Sequence, residues 1–401
     1  MVAGTAGKER SIVARTVPLL AVVFIMVGSV STLWPVLTPF ARDMGASGFQ
    51  IGMVVGAIYA TRLFLQPVIG NFADRHGYRA LLLFGTLLYI PIGLVYAAAG
   101  NVAVLIAARL LHGVGSAIVL PMVMAVLGSN AGGKGGAAMA RFNLAQWMGY
   151  AVGPILGGVI IEFWGQETVF LLLGPAGVLS AVAVGLTDRD LMASDSKKPI
   201  SSGNPQAPKS DGIRSDRLAV SLLAFNFLAA PASLIILSFF PLLGEERGYG
   251  PVMIGVLLAI ASFVTAAIQP LWGNVADNRG LRPLLLTGGF GSLFSLALLG
   301  LVDSLAVSVV ATILAGGTLA ALVAGTSTAA VEAGERRGMG AFMGWFASAG
   351  STGQALMPLL YGLLLGAIGV EGLLTAVGVL ITIGSLGYLL ARQTTAAIKP
   401  T

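Results

Sequence analysis

Gln66-Pro67-Val68-Ile69-Gly70-Asn71-Phe72-Ala73-Asp74-Arg75-His76-Gly77-Tyr78-Arg79 returns 203 residues later as Gln269-Pro270-Leu271-Trp272-Gly273-Asn274-Val275-Ala276-Asp277-Asn278-Arg279-Gly280-Leu281-Arg282. Eight of the fourteen positions are identical, and the offset is about half of the 401-residue chain. Each copy closes one long apolar run and opens another. A repeat at half-length is the mark of two related helical modules lying side by side in a membrane.

Composition points to the same solvent. Hydrophobic residues make up 56% of the chain and charged residues 10%, against roughly 25% charge in a soluble domain. The 55 glycines would weaken helices in water, but in lipid small residues let backbones approach and no water competes for their bonds. The absence of cysteine excludes disulfides and thiolate chemistry, and two histidines are too few for a histidine metal centre, so neither metal nor cofactor is expected. The net charge of +6 is dispersed over short loops, which fits membrane topology rather than nucleic-acid binding. Lys8, Arg10 and Arg15 precede a run of full spanning length, so the first span is expected to be retained rather than cleaved as a signal.

A span needs about 20 mainly apolar residues. On that criterion twelve candidates run over 17–40, 49–72, 80–99, 102–128, 140–161, 169–186, 218–243, 252–275, 283–302, 305–330, 340–364 and 373–391. The predicted organisation is a tail at 1–16, a six-helix half at 17–186, a polar flexible linker at 187–217, a second six-helix half at 218–391 and a tail at 392–401. With the N-terminus inside, alternate loops and tails on that side hold 19 Lys and Arg, while the opposite loops hold only Arg42 and Arg247. That imbalance predicts cytoplasmic termini and linker in a cell membrane. Ser47 and Gln50 fit a capping box opening the second helix. Pro35 and Pro39 in the first span, and Pro231 and Pro241 in the seventh, each remove a backbone donor and are expected to bend their helices.

With these motifs assembled, the chain resembles a twelve-helix transporter of the major facilitator superfamily. The segment Gly70 to Arg79 resembles the family's signature loop between helices 2 and 3, and Gly273 to Arg282 its counterpart between helices 8 and 9. The resemblance implies a gating cluster formed by Gly70, Asp74, Arg75, Gly77 and Arg79 with Gly273, Asp277, Gly280 and Arg282, in which glycines permit close packing and a tight turn while charges bond to neighbouring helix ends. A charged turn that merely fixes topology is the alternative. Gly149, Gly153, Pro154, Gly157 and Gly158 in the fifth span resemble the motif that this superfamily associates with drug and proton antiporters, and imply export. A stripe of small residues also serves plain packing.

Arg109, His112, Gly113 and Ser116 share one face of the fourth span and resemble a third family motif, whose Arg is implicated in proton transfer. At 1.5 Å per residue His112 lies about 15 Å, and Arg62 about 20 Å, from the start of its span, deep in a core about 30 Å thick. Charge at that depth costs several kcal/mol unless it meets water, a partner or a substrate. Every carboxylate falls in a loop or at a span end, leaving the usual intramembrane proton carrier without an occupant; His112, an imidazole that titrates near neutrality, is the substitute. Trp34, Tyr59, Gln146, Trp147, Tyr150, Asn226 and Gln354 are further candidates for the substrate path, each also suited to interhelical packing.

The leading expectation is a monomeric secondary transporter that exports small amphipathic compounds by alternating access in exchange for protons. A carrier for an organic anion or a zwitterionic or lipid-like metabolite, held by Arg62 and Arg109, is the alternative, because a cavity with those charges and no carboxylate has positive potential. An enzyme finds no support: no nucleophile and base pair, metal cluster or nucleotide loop is visible. A receptor or scaffold would need more extramembrane chain than the linker offers.

Overall fold

The computed structural model describes residues 2–130, 135–192, 216–337 and 339–397. Within these, the side chains of residues 2–14, 71, 74–76, 135–137, 336–337, 339–341 and 395–397 lie outside the description. The first half comprises α1 (Val2–Ser31), α2 (Leu37–Asp43), α3 (Gly48–His76), α4 (Tyr78–Leu87), α5 (Tyr89–Ala97), α6 (Val102–Ser129), α7 (Gly135–Trp164), α8 (Gln166–Leu171), α9 (Leu173–Leu186) and α10 (Arg189–Met192). The second comprises α11 (Arg217–Ala229), α12 (Ala232–Leu234), a π-helical segment Ile235–Phe239, α13 (Phe240–Glu246), α14 (Pro251–Arg279), α15 (Leu281–Leu301), α16 (Leu305–Arg337) and α17 (Met339–Ala397).

Ten helices are long and apolar enough to cross a bilayer, and Arg15–Ser31 is a shorter apolar one. One of the ten, Phe342–Thr394, breaks at Gly369 (φ 71°, ψ 179°) and so holds two spans, which makes the set consistent with twelve. Most of the expected linker lies outside the described residues; its start is ordered, with α10 following Asp188.

The expected bends are breaks. α1 stops at Ser31 and the chain turns through residues 32–36 before α2. Pro35 has no N–H, and upstream hydroxyls turn back onto the helix: Ser29 donates to the Met26 carbonyl at 2.9 Å and Thr32 to that of Ser29 at 2.6 Å. Such back-bonding loosens a helix. The seventh span breaks likewise around Pro231 and then overwinds into the π segment. Ser47 accepts from the Gln50 N–H at 3.3 Å while Gln50 accepts from the Ser47 N–H at 2.8 Å, closing the capping box.

Two helix pairs join the halves, α3 with α17 and α7 with α14. Their contacts lie toward one end, here termed the far face, opposite the connector face where Arg79, Asp188 and the ends of α3 and α14 sit. A Cβ on Gly52 would stand 2.2 Å from the Pro358 carbonyl oxygen; on Gly48, 2.2 Å from that of Gly362; on Gly255, 2.2 Å from that of Pro154; and on Gly158, 2.4 Å from that of Pro251. Without a hydrophobic drive between helices in lipid, such backbone contact is what holds them. Toward the connector face the same helices part. A Cβ on Gly70, Gly273 or Gly344 would meet nothing within 4 Å, so the close packing expected at Gly70 is absent in this conformation.

Ionic contacts reinforce the far face. Arg42 donates to Glu246 at 2.7 Å and also to Glu245, while the Thr38 hydroxyl donates to the Ser238 carbonyl. Each of these spans the two halves.

Candidate functional site

Between the halves lies a cavity of about 260 Å³. Four of its walls are aromatic. Trp34, delivered by the turn after α1, meets Tyr150 at 5.0 Å between ring centroids, and Trp147 stands edge-on to Tyr150 at 5.5 Å. Tyr59 and Arg62, three apart on α3, share a face, with the Arg62 guanidinium carbon 5.8 Å from the Tyr59 ring centre. Gln146 donates to the Tyr150 hydroxyl at 3.3 Å. From the second half come Ser233 to Leu237 around the π segment, Ser262 and Thr265 on α14, Leu319 on α16 and Gln354 on α17. Overwound segments are common at binding sites because they displace side chains from the regular helical track. The hydroxyls of Ser262 and Thr265 are spent on the Leu258 carbonyl at 3.0 Å and the Ala261 carbonyl at 2.7 Å. Gln354 therefore supplies the more available polar group on that wall.

A smaller cavity of about 60 Å³ adjoins it, sharing Trp34, Tyr59, Arg62, Leu120 and Tyr150 and adding Tyr89, Arg109, Ser116 and Ser238. Arg109 is only 6% exposed. Its Nε donates to the Val54 carbonyl at 2.8 Å and its Nη2 to that of Val55 at 3.4 Å. The charge thus rests on carbonyls of α3, and the guanidinium acts as a brace between α6 and α3. Gly113, one turn on, lets α3 come close: a Cβ there would lie 2.4 Å from that of Thr61.

The remaining candidates lie elsewhere. His112 is fully buried, its Nδ1 at 3.2 Å from the Tyr96 hydroxyl, its ring edge-on to Tyr89, and its Nε2 without a partner among the described atoms. It lines neither cavity. Asn226 donates to the Phe346 carbonyl at 2.7 Å, fastening α11 to α17 away from the cavity. No described carboxylate lines either cavity, and no described cluster of His, Asp and Glu can hold a metal.

The glycine-rich stretch of α7 does two jobs. Gly149, Gly153 and Gly157 face α1, where a Cβ on Gly153 would lie 1.9 Å from the Ser31 hydroxyl, and Ser31 donates to the Gly149 carbonyl at 2.9 Å. Pro154 and Gly158 face α14 of the other half. One helix therefore holds the broken first span on one side and the far-face seam on the other. The seam's partner ladder, Gly48, Gly52 and Gly56, has the same four-residue spacing; that spacing was the available signal, and it was absent from the residues selected by motif.

At the duplicated loops, Gly77 (φ 86°) and Gly280 (φ 71°) make the turn between consecutive helices in a region that suits glycine. Arg79 donates to the Gly185 and Thr187 carbonyls, each at 3.0 Å, capping α9, where a cation is favoured by the exposed carbonyls and the helix dipole. Asp74 and Arg75, central to the expected gating cluster, have side chains outside the described residues.

Comparisons with known proteins agree with this architecture. Multidrug resistance protein 2 of Bacillus subtilis is 24% identical over 298 residues, covering 72% of this chain and 74% of that protein. An uncharacterized MFS-type transporter of Methanocaldococcus jannaschii is 23% identical over 266 residues, covering 66% and 69%. Among solved structures, a bacterial homolog of the human lysosomal transporter Spinster, inward-facing and unoccupied, superposes with a TM-score of 0.78 at 14% identity, over 97% of this chain and 98% of that one. The nucleoside transporter NupG gives 0.72 at 13% identity, over 96% and 100%. The sequence profile of the Major Facilitator Superfamily matches residues 19–250 and again 222–400. A bundle of spanning helices split by a central cavity, matched by that profile over nearly its whole length, belongs to the Major Facilitator Superfamily of membrane transporters.

Proposed function

We propose that this transporter exports small amphipathic compounds by alternating access, in exchange for protons, with its termini and linker in the cytoplasm. The observation that carries the reading is the asymmetry of the two ends. Backbones touch across the halves at Gly48, Gly52, Gly158 and Gly255, while Gly70, Gly273 and Gly344 face open space. With 19 Lys and Arg assigned to the connector side against two on the other, the positive-inside rule makes the open end cytoplasmic. This conformation then receives cargo from the cell interior. Release requires the far-face seam to part as the halves rock about the cavity.

Export is further supported by the multidrug-resistance name of the Bacillus subtilis relative and by a cavity whose walls are mainly aromatic and aliphatic. Protons cannot be carried on a carboxylate in the cavity, since no described one lines it. Coupling falls instead to His112 or to Glu245 and Glu246, which hold Arg42 across the far face. The loops around Asp74 and Asp277 serve in the gate that closes when the seam opens.

The test is reconstitution of the purified chain into vesicles with an imposed pH gradient and a panel of cationic, neutral and anionic amphiphiles. At least one compound should move against its own gradient and collapse the pH difference as it does so. Correctly inserted protein that moves every compound at the rate of empty vesicles refutes the reading.

A further inference from the structure

Arg62 is the only charged residue among those lining the central cavity. It reaches this position half-way along α3, where a cation is tolerated only if water, a partner or a ligand meets it. Its described contact is the face of Tyr59 at 5.8 Å, and no described carboxylate stands near enough to bridge it. Arg109 does not share the task, because the Val54 and Val55 carbonyls already take its donors. The cavity therefore offers one guanidinium fork, not two.

Around that fork the walls divide by chemistry. Trp34, Trp147 and Tyr150 form a cluster of π-faces on one side, while Leu234, Leu237 and Leu319 make an aliphatic wall on the other. Aromatic boxes also attract cations. Here, however, the box already contains a cation lying on one of its rings, and a second would be repelled with little water between them. Arg cannot lose its proton to relieve this.

We propose, resting on the cavity's role in the transport reading above, that its ligand is a monoanionic aromatic amphiphile. A single carboxylate or sulfonate is held by Arg62, the ring lies against Trp34, Trp147 and Tyr150, and the apolar remainder meets the leucine wall. Gln354 and Gln146 supply amide donors for oxygens beyond those the guanidinium takes. A dianion fits poorly, because its second charge would rest against Leu234, Leu237 or Leu319 with no cation in reach.

The experiment is isothermal titration calorimetry on the detergent-purified full chain with four probes of one ring system. These are 2-naphthoate, 2-naphthamide, 2,6-naphthalenedicarboxylate and (2-naphthylmethyl)trimethylammonium. In the wild-type protein 2-naphthoate should bind at least about tenfold more tightly than each of the others. In Arg62→Gln the preference of naphthoate over naphthamide should shrink to within about twofold, and Arg62→Lys should keep part of it. Naphthamide or the ammonium binding as tightly as naphthoate to the wild type overturns the proposal, as does absence of binding by all four. A preference that survives Arg62→Gln also overturns it, and the wild-type comparison decides the matter even if that variant does not fold. Vesicle flux separates this outcome from the broader reading: driven transport of cations without naphthoate binding refutes the anion site alone, whereas naphthoate bound through Arg62 with no driven transport refutes export alone.

Discussion

Replacing Gly52 with alanine should open the far face. The added Cβ would sit 2.2 Å from the Pro358 carbonyl oxygen and 3.0 Å from the Leu359 Cα. Both obstacles are backbone, so no rotamer change relieves them. Ordinary van der Waals contact begins near 3.4 Å, and the helices must separate by about 1.2 Å at that point to reach it. Overpacking of this kind costs about 1–3 kcal/mol. The strain exists only where α3 and α17 touch, so it falls on the far-face-closed state alone and shifts the conformational ratio about 5- to 150-fold toward the open one. Alanine in a helix is about 1 kcal/mol better than glycine, so lost transport would not reflect a weakened α3. The chain has no cysteine, which permits spin labels at Asp43→Cys and Ala367→Cys and a direct distance distribution across the seam by double electron–electron resonance. Gly52→Ala should convert most of the short-distance population to a longer one, while Gly70→Ala, whose Cβ meets nothing within 4 Å, should leave it unchanged. A closed population equal in all three proteins would refute the claim that backbone contact sets the gate.

Arg42→Gln should act in the same direction but weakly. Its carboxylate partners are 37% and 47% exposed, and exposed pairs contribute about 0.2–1 kcal/mol each, so the same labels should report a shift of no more than about fivefold per pair; a larger shift than Gly52→Ala produces would invert the ranking argued here. At the connector face, the backbone N–H of Asp190 and then Arg15 hold the Asp188 carboxyl below its ordinary value of 3.8. A depressed carboxylate contributes its stability above the unfolded pKa and loses it as pH falls through the folded one, so the tie between α1 and the end of α9 should persist from neutrality to about pH 4 and give way only below. Thermal unfolding of wild type and Asp188→Asn should therefore differ at pH 7 and converge in acid, and a constant difference would exclude the linkage.

What the residues disclosed was set by whether a signal was local. The bends near Pro35 and Pro231, the capping box at Ser47 and the turns at Gly77 and Gly280 each depend on a few adjacent residues, and each is in place. The breaks at Leu88 and Leu172 within single apolar runs were not legible, because no proline or polar group marks them. Spacing along α3 and α7 put Tyr59 with Arg62 and Gln146 with Tyr150, and both pairs line one cavity. Spacing alone could not tell Arg62 from Arg109. Both are deep in the sequence reading, yet one faces the cavity and the other spends its donors on α3, a difference of helix rotation that depends on which neighbour packs where. His112 and Asn226 illustrate the same limit, since each polar group finds its partner on a different helix.

The ranking of seam over ion pair bears on how such a carrier can move at all. A gate held by buried charges would have to expose and resolvate them on every cycle, at several kcal/mol per ion. Here the charges across the seam are Arg42, Glu245 and Glu246, each partly solvated already, so their separation costs little in either direction. Contact between glycine-bearing backbones is short-ranged and has no solvated alternative, so it discriminates sharply between a seam that is seated and one displaced by an ångström or two. The glycine ladders thus supply the two-valued character of the gate, and the far-face charges only set its register. A ligand on Arg62 acts on that balance because α3, which carries it, also carries Gly48, Gly52 and Gly56. Occupancy of the cavity and seating of the seam are then two loads on one helix, and a ligand that binds the two states unequally must shift the gate by the same free energy.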